Sequence, residues 1–266
     1  MINPLPQKSW RVSGGAECFL ETSTGLAHEL FGSYDPRWEM EFCERAGMLR
    51  VLEIAKPEVS IEIGTSNGGS LSAIAQHSTK VFTLDLDPRA KEKVATEYPH
   101  VEYVTGDSRV TLPALLSRMQ KEKTALGFVL VDGAHDPDGV RADLNALLAY
   151  EPVSPLWIVM HDSFNPACRE GIRTAAWSAC PYLHMVEIDY VPGILHTIPE
   201  LKRQMWGGLA VALMLPTKAA TPPVIQSRQQ ALFELVERGS AHSWTLRKRA
   251  MLGRFARSLK ARITAS

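Results

Sequence analysis

The sequence has almost no surplus charge and little cysteine. Lysine plus arginine and aspartate plus glutamate stand at 29 each in 266 residues, so no global field draws in nucleic acid or an acidic surface. One local asymmetry survives the balance. From Arg228 onward, Arg238, Arg247, Lys248, Arg249, Arg254, Arg257, Lys260 and Arg262 face only Glu234 and Glu237. Cys18, Cys43, Cys168 and Cys180 show neither CxxC spacing nor the density of a secreted disulfide scaffold, which argues against structural zinc and makes a reducing cytosol the expected compartment. No apolar run approaches the roughly 18 residues of a membrane span, and the opening MINPLPQKSW lacks the apolar core of a signal peptide. The expectation is a soluble, cytoplasmic protein.

What is present is alternation. Short apolar runs alternate with longer amphipathic stretches between about 59 and 215, the pattern of βαβ units and a mostly parallel sheet. Seven strands are predicted, at 59–63, 81–85, 101–105, 127–132, 156–160, 184–190 and 209–215. Helices are predicted at 37–55, 69–77, 88–98, 112–121, 138–150 and 169–179, with Pro88 in a first turn where its missing N–H costs nothing. Three regions follow: a cap and helix over 1–50, an α/β domain over 51–216, and basic helical segments over 217–266 beyond a Pro-, Thr- and Ala-rich linker. The segment before Arg37 either wraps the domain or covers its mouth. The last helix, with Trp244, Leu246, Met251, Leu252, Phe255 and Leu259, is expected first to pack on a second subunit, making a homo-oligomer. Contact with an anionic membrane is the alternative.

Directly after the first strand comes Glu62-Ile63-Gly64-Thr65-Ser66-Asn67-Gly68-Gly69-Ser70. Glycines in such a turn let backbone approach a ligand closely, and the helix that follows presents unpaired N–H donors. The turn reads GTSNGG and not GxGxxG, which disfavours a nucleotide-sugar or nicotinamide enzyme of the same topology. The second strand ends in Asp85, placed to accept both ribose hydroxyls, and the third in Gly106-Asp107-Ser108, placed to set a carboxylate beside an adenine amino group. Three strand ends thus converge on one nucleoside.

A second constellation lies at the ends of the fourth and fifth strands, Asp132-Gly133-Ala134-His135-Asp136 and His161-Asp162-Ser163. Ligands in such sheets sit beyond the carboxyl ends of strands, so both clusters face the same mouth. Asp132 and Asp162 are hard oxygen ligands suited to Mg²⁺, and His161 joins them if the ion tolerates imidazole. His135, three residues after Asp132, is a candidate general base near neutrality, with His161 as its competitor. Tyr34, Trp38 and Trp206 belong either to the core or to an acceptor pocket, with 190–206 as a candidate lid. Arg141 and Arg169 either meet an anionic acceptor or are solvated helix charges.

The succession E-x-G-T-S-x-G-G-S, L-D-x-D-P and G-D-S resembles class I S-adenosylmethionine-dependent methyltransferases over roughly 51–215. The resemblance implies a seven-stranded Rossmann-like sheet with helices on both faces, plus an N-terminal cap and a C-terminal helical appendage. It implies S-adenosylmethionine as cofactor, with Glu62, Gly64 and Ser70 near its methionine end, Thr65, Ser66 and Gly68 in the same turn, Asp85 at the ribose, Asp107 near the adenine, and Asp132 also among the cofactor contacts. The motifs D-G-A-H-D-x-D-G-V-x-x-D-L and M-H-D-S are similar to a subfamily of bacterial sugar and natural-product pathways, with macrolide sugar O-methyltransferases and a cephalosporin hydroxylase-like group among its relatives. There an Asp-x-x-His turn supplies a metal ligand and the base, and an acidic pair completes the site. Here that pair reads His161-Asp162, a departure that bears on the ligand count. The expected activity is methyl transfer to a hydroxyl of a sugar, polyketide or related small molecule, with a metal-independent enzyme or a silent cofactor-binding subunit as alternatives.

Overall fold

The computed structural model describes residues 37–94, 98–221 and 223–242, all within one compact unit, Asp35–Ser266. Tyr34, Cys18, and the expectations for 1–36 and for the basic helix after 242 lie outside these residues. In chain order the elements are α1 (Phe42–Ala55), β1 (Val59–Ile63), α2 (Gly69–His77), β2 (Lys80–Asp85), α3 (Arg89–Val94), β3 (Val101–Thr105), α4 (Ser108–Glu122), β4 (Leu126–Val131), α5 (Pro137–Leu148), β5 (Leu156–His161) and α6 (Pro166–Thr174). A 3₁₀ turn (Trp177–Ala179), β6 (Leu183–Val191), β7 (Ile194–Leu195), β8 (Met205–Trp206), β9 (Leu209–Met214), β10 (Ile225–Gln226) and α7 (Gln230–Gly239) complete the fold.

The sheet runs β10-β6-β9-β5-β4-β1-β2-β3. Only β9 is antiparallel to its neighbours; every other pairing is parallel. This is the expected Rossmann-like α/β architecture, with eight strands where seven were expected. The eighth is β10, two residues that pair with Val186 and Glu187 at the outer edge. Inside 190–206, β7 and β8 form a separate antiparallel hairpin.

Side-chain alternation sends β4 into both faces of the sheet. Val129 and Val131 join Leu112, Leu116, Leu144 and Leu147 of α4 and α5, while Phe128 and Leu130 join Met48, Leu52, Leu71 and Ile74 of α1 and α2. Helix starts are set by polar caps. Asp136 accepts from the backbone of Asp138 and Gly139, and Asn165 from Ala167 and Cys168, each followed by proline in the first turn. The Asn165-Pro166 pair starts α6 three residues before the expected position, and the helix breaks into the 3₁₀ turn before Ala179.

The segment after the expected linker is tied to the sheet. Phe233 of α7 is 6% exposed and packs with Phe164 and Met205, its ring edge-on to Phe164 at 5.4 Å. Among the described residues no helix is long and apolar enough to cross a membrane. Phe233→Ala is expected to cost about 3 kcal/mol or more by lost transfer energy and cavity formation. Urea unfolding checks this, and a change under about 0.5 kcal/mol, the range of an ordinary surface position, would show that α7 does not stabilise the domain.

Candidate active site

Strand order reverses between β1 and β4, and the crevice opens there. Backbone hydrogen bonds fix its floor: Gly64 N to Leu84 O at 2.8 Å, Asp132 N to Ile63 O at 2.9 Å and Gly106 N to Asp85 O at 2.9 Å. Gly64 has φ +97°, and a Cβ there would overlap the carbonyl oxygen of Asp132. The first glycine of the turn therefore serves the close approach of β1 to β4 as well as any ligand.

Two neighbouring cavities occupy this crevice. One, of about 550 Å³, is lined by Asp85, Leu86, Gly106, Asp107 and the 132–136 turn. The other, of about 390 Å³, is lined by Trp38, Ser70, His161, Asp162, Ile194 and Trp206, among others. Gly64, Ser66, Asp132 and His135 border both.

On the first side, Asp85 is held against the turn. Its Oδ2 accepts from the backbone N–H groups of Thr65 (3.0 Å) and Ser66 (2.9 Å), and its Oδ1 from Asp87 N (2.8 Å). Asp107 caps α4 through Arg109 N and pairs with the Arg109 guanidinium; that bonding holds its carboxyl below the usual range. Glu62 lies fully buried beneath the turn, where it accepts from Ser70 Oγ and Thr83 Oγ1, both at 2.6 Å. Thr65 is likewise buried, its hydroxyl 2.6 Å from that of Thr83. Gly68 caps α2 in the left-handed conformation. Burial, opposed by the two hydroxyls, pushes the Glu62 carboxyl up to about 8.

At the junction, two carboxylates meet two imidazoles. His161 Nδ1 lies 3.0 Å from Asp132 Oδ1 and 3.6 Å from Asp162 Oδ2, and His135 Nε2 lies 3.0 Å from Asp162 Oδ2 and 3.7 Å from Asp132 Oδ1. Burial alone would raise Asp132, but the facing His161 and His135 overcome it and bring the carboxyl to about 2. Hydrogen bonding to Asp132 and Asp162 lifts His135 to about 10. For His161, burial works downward and is outweighed by Asp132, Glu44 and Asp162, so its pKa lies well above the ordinary value. Ligand atoms of Asp132, His161 and Asp162 all fall within 4.8 Å of one another.

Sequence reasoning missed Glu44. Only 1% exposed on α1, it accepts from Gly208 N and from Glu41 N, and its Oε2 is 3.5 Å from His161 Nε2. The available signal was a glutamate in the Glu44, Met48, Leu52 spacing of a core-facing helix. Of the other expected neighbours, Trp38 is buried yet lines the second cavity, and Trp206 sets its ring edge-on to His135 at 5.5 Å. Arg141 pairs with Asp138 on the surface. Arg169 is neither solvated nor turned to this cleft: it is 2% exposed and paired with Asp189 at 2.7 Å.

Residues 61–163, from β1 through β5, match the family model described as "Methyltransferase domain". No curated protein matches significantly. Among solved structures, the chain is similar to the O-methyltransferase TomG from Streptomyces achromogenes in complex with SAM (18% identity, covering 76% of this chain and 91% of that one, TM-score 0.49). It is similar also to cofactor-bound Rv0187 from MTB (17%, 74% and 97%, TM-score 0.48) and to the O-methyltransferase from Bacillus cereus in complex with SAH (17%, 76% and 93%, TM-score 0.44).

The buried Glu62 generates a stability prediction. A carboxyl whose pKa is higher in the folded than in the unfolded state contributes stability that is complete below the unfolded value and is lost as pH rises through the folded one. Stability therefore declines between the ordinary 4.5 and about 8, with a contribution from this group of up to about 1.4 kcal/mol per pH unit. Glu62→Gln is expected to flatten that decline in urea unfolding measured across the interval. An unchanged slope would show that Glu62 does not carry a proton in the folded protein.

Proposed function

We propose that the protein is an S-adenosylmethionine-dependent O-methyltransferase that methylates a hydroxyl of a small molecule, a sugar, polyketide or related natural product, with the aid of a divalent cation. The observation that carries this reading is the pair of cavities meeting at Asp132 and His135. One side offers acids at successive strand ends to a nucleoside, and the other offers an acceptor cavity with a polar cluster at its inner end.

In this reading the nucleoside lies along Asp85 and Asp107, and the methionine end reaches the turn from Gly64 to Ser70. In-line transfer breaks the sulfonium C–S bond as the acceptor oxygen forms a C–O bond, and the hydroxyl proton must leave. His135 is the better placed of the two imidazoles to take that proton, in its neutral form, which its hydrogen bonds to Asp132 and Asp162 shift toward alkaline pH. It borders both cavities and its side chain is 46% exposed, whereas the His161 side chain, 13% exposed, is clamped between Asp132 and Glu44. Asp132 and Asp162 keep His135 oriented from two sides.

Asp132, Asp162 and His161 fit a divalent cation by donor chemistry and spacing, and the mixed oxygen and nitrogen set suits Mn²⁺ as well as Mg²⁺. Such an ion, when bound, would act as a Lewis acid that makes a hydroxyl easier to deprotonate. The His161-Asp162 pair thus supplies one carboxylate and one imidazole where the relatives' motif has two acids.

Two outcomes test the proposal. S-adenosylhomocysteine should bind the purified protein in calorimetry, and Asp85→Ala should weaken it at least about tenfold, since the variant loses charged hydrogen bonds at the ribose and in the turn. Equal affinity in the variant would remove Asp85 from the cofactor site. Transfer of labelled methyl to a panel of hydroxylated small molecules should be lost with EDTA, restored by Mn²⁺ or Mg²⁺, and abolished by Asp132→Ala. Full turnover in chelator would contradict metal assistance.

A further inference from the structure

Asp162 occupies an unfavourable backbone conformation. Its φ is +57°, left-handed for a residue with a Cβ, at a cost of about 1 kcal/mol that the surroundings must offset. One side of the restraint comes from the pair Gly207–Gly208: Gly207 N donates to Asp162 Oδ1 at 2.6 Å, Phe164 N to Gly207 O at 2.9 Å and Ser163 N to Gly208 O at 3.3 Å.

The other side is a side chain outside the cleft. Arg169 of α6 donates through Nη1 to Ser163 O (3.1 Å) and to Asp189 Oδ1 of β6 (2.7 Å), and through Nη2 to Ser227 Oγ (2.8 Å) and Gln230 Oε1 (2.9 Å). Asp189 Oδ2 in turn accepts from Ser227 Oγ (2.7 Å) and Gln229 N (3.0 Å). Phe233 covers the guanidinium at 4.2 Å. A planar fork can satisfy four acceptors at once where an ammonium cannot.

We infer that Arg169 is a positioning residue that transmits a restraint from the segment Ser227–Gln230 to the Ser163 carbonyl, and so holds Asp162 where its carboxylate meets His135 and His161. The inference rests on the reading of Asp162 as a working carboxylate of the proposed enzyme. It gives the segment after β9 a part in the site. Ser227 and Gln230 touch nothing in the cleft, yet they complete the clamp that holds the turn from behind.

The test compares imidazole ¹⁵N signals of the full-length protein with those of Arg169→Lys and Ser227→Ala. The lysine variant keeps charge against Asp189 and loses the fork, whereas the alanine variant leaves the buried ion pair whole and removes the Ser227 hydroxyl's bonds to Arg169 and Asp189, one of the links to the C-terminal segment. Both are expected to shift the His135 and His161 signals, while S-adenosylhomocysteine affinity stays within about twofold of wild type, as for groups that share no contacts with the nucleoside side. A purely structural role would lower the melting temperature and leave the imidazole signals in place, and that result overturns the inference. So does a loss of S-adenosylhomocysteine affinity in step with any shift. If Arg169→Lys does not fold, Ser227→Ala decides alone. Failure of the wild-type protein to bind S-adenosylhomocysteine would overturn the proposed function and leave the imidazole comparison readable.

Discussion

Gly64 and Asp132 are in backbone contact, and the site is arranged around that contact. Because β1 and β4 approach so closely at their carboxyl ends that a Cβ at Gly64 would collide with the Asp132 carbonyl, the glycine turn sits directly against the first acid of the chemical cluster. The apolar alternation of β4, shared between the two core layers, fixes the register of that approach. A cavity on each side of the junction follows from strand order alone, since helices leave the sheet in opposite directions at a reversal point.

Electrostatics then decides what the junction can hold. Asp132 and Asp162 would repel if left to themselves in so enclosed a place, and His135 and His161 face both of them. The high imidazole pKa values and the low value at Asp132 express that mutual support. In the proposed reading, a bound cation would take over part of the positive role the imidazoles fill here. Glu44 adds a third carboxylate from α1 and links the helix, the Gly207–Gly208 turn and His161.

Much of this was legible in the sequence, and what was not has physical causes. The seven longer strands are apolar runs that end in turn residues, and α2 begins and ends where its glycines and His77 imply. The strand-end residues Asp85, Asp107, Asp132, His135, His161 and Asp162 all border the cleft. Glu62, expected near a cofactor's methionine end, lies buried beneath the turn, and its hydroxyl partners come from other elements. β10 was illegible: two residues carry no periodicity, and their pairing depends on β6, nearly forty positions earlier. Arg169 was expected either at an anionic acceptor or as a solvated charge, because nothing local to α6 names its partners, which come from β6 and from beyond β9. The start of α6 was expected at 169 and missed, although Asn165-Pro166 carries the cap and first-turn proline that set it.

The central claim is that successive strand ends hold one sulfonium nucleoside beside an acid and imidazole cluster. A crystal structure with S-adenosylhomocysteine and Mn²⁺ tests it most directly. The account predicts the ribose at Asp85, the sulfur toward the Asp132–His135 junction, and the ion among Asp132, His161 and Asp162. A nucleoside bound elsewhere, or Asp85 turned away from it, would contradict the account.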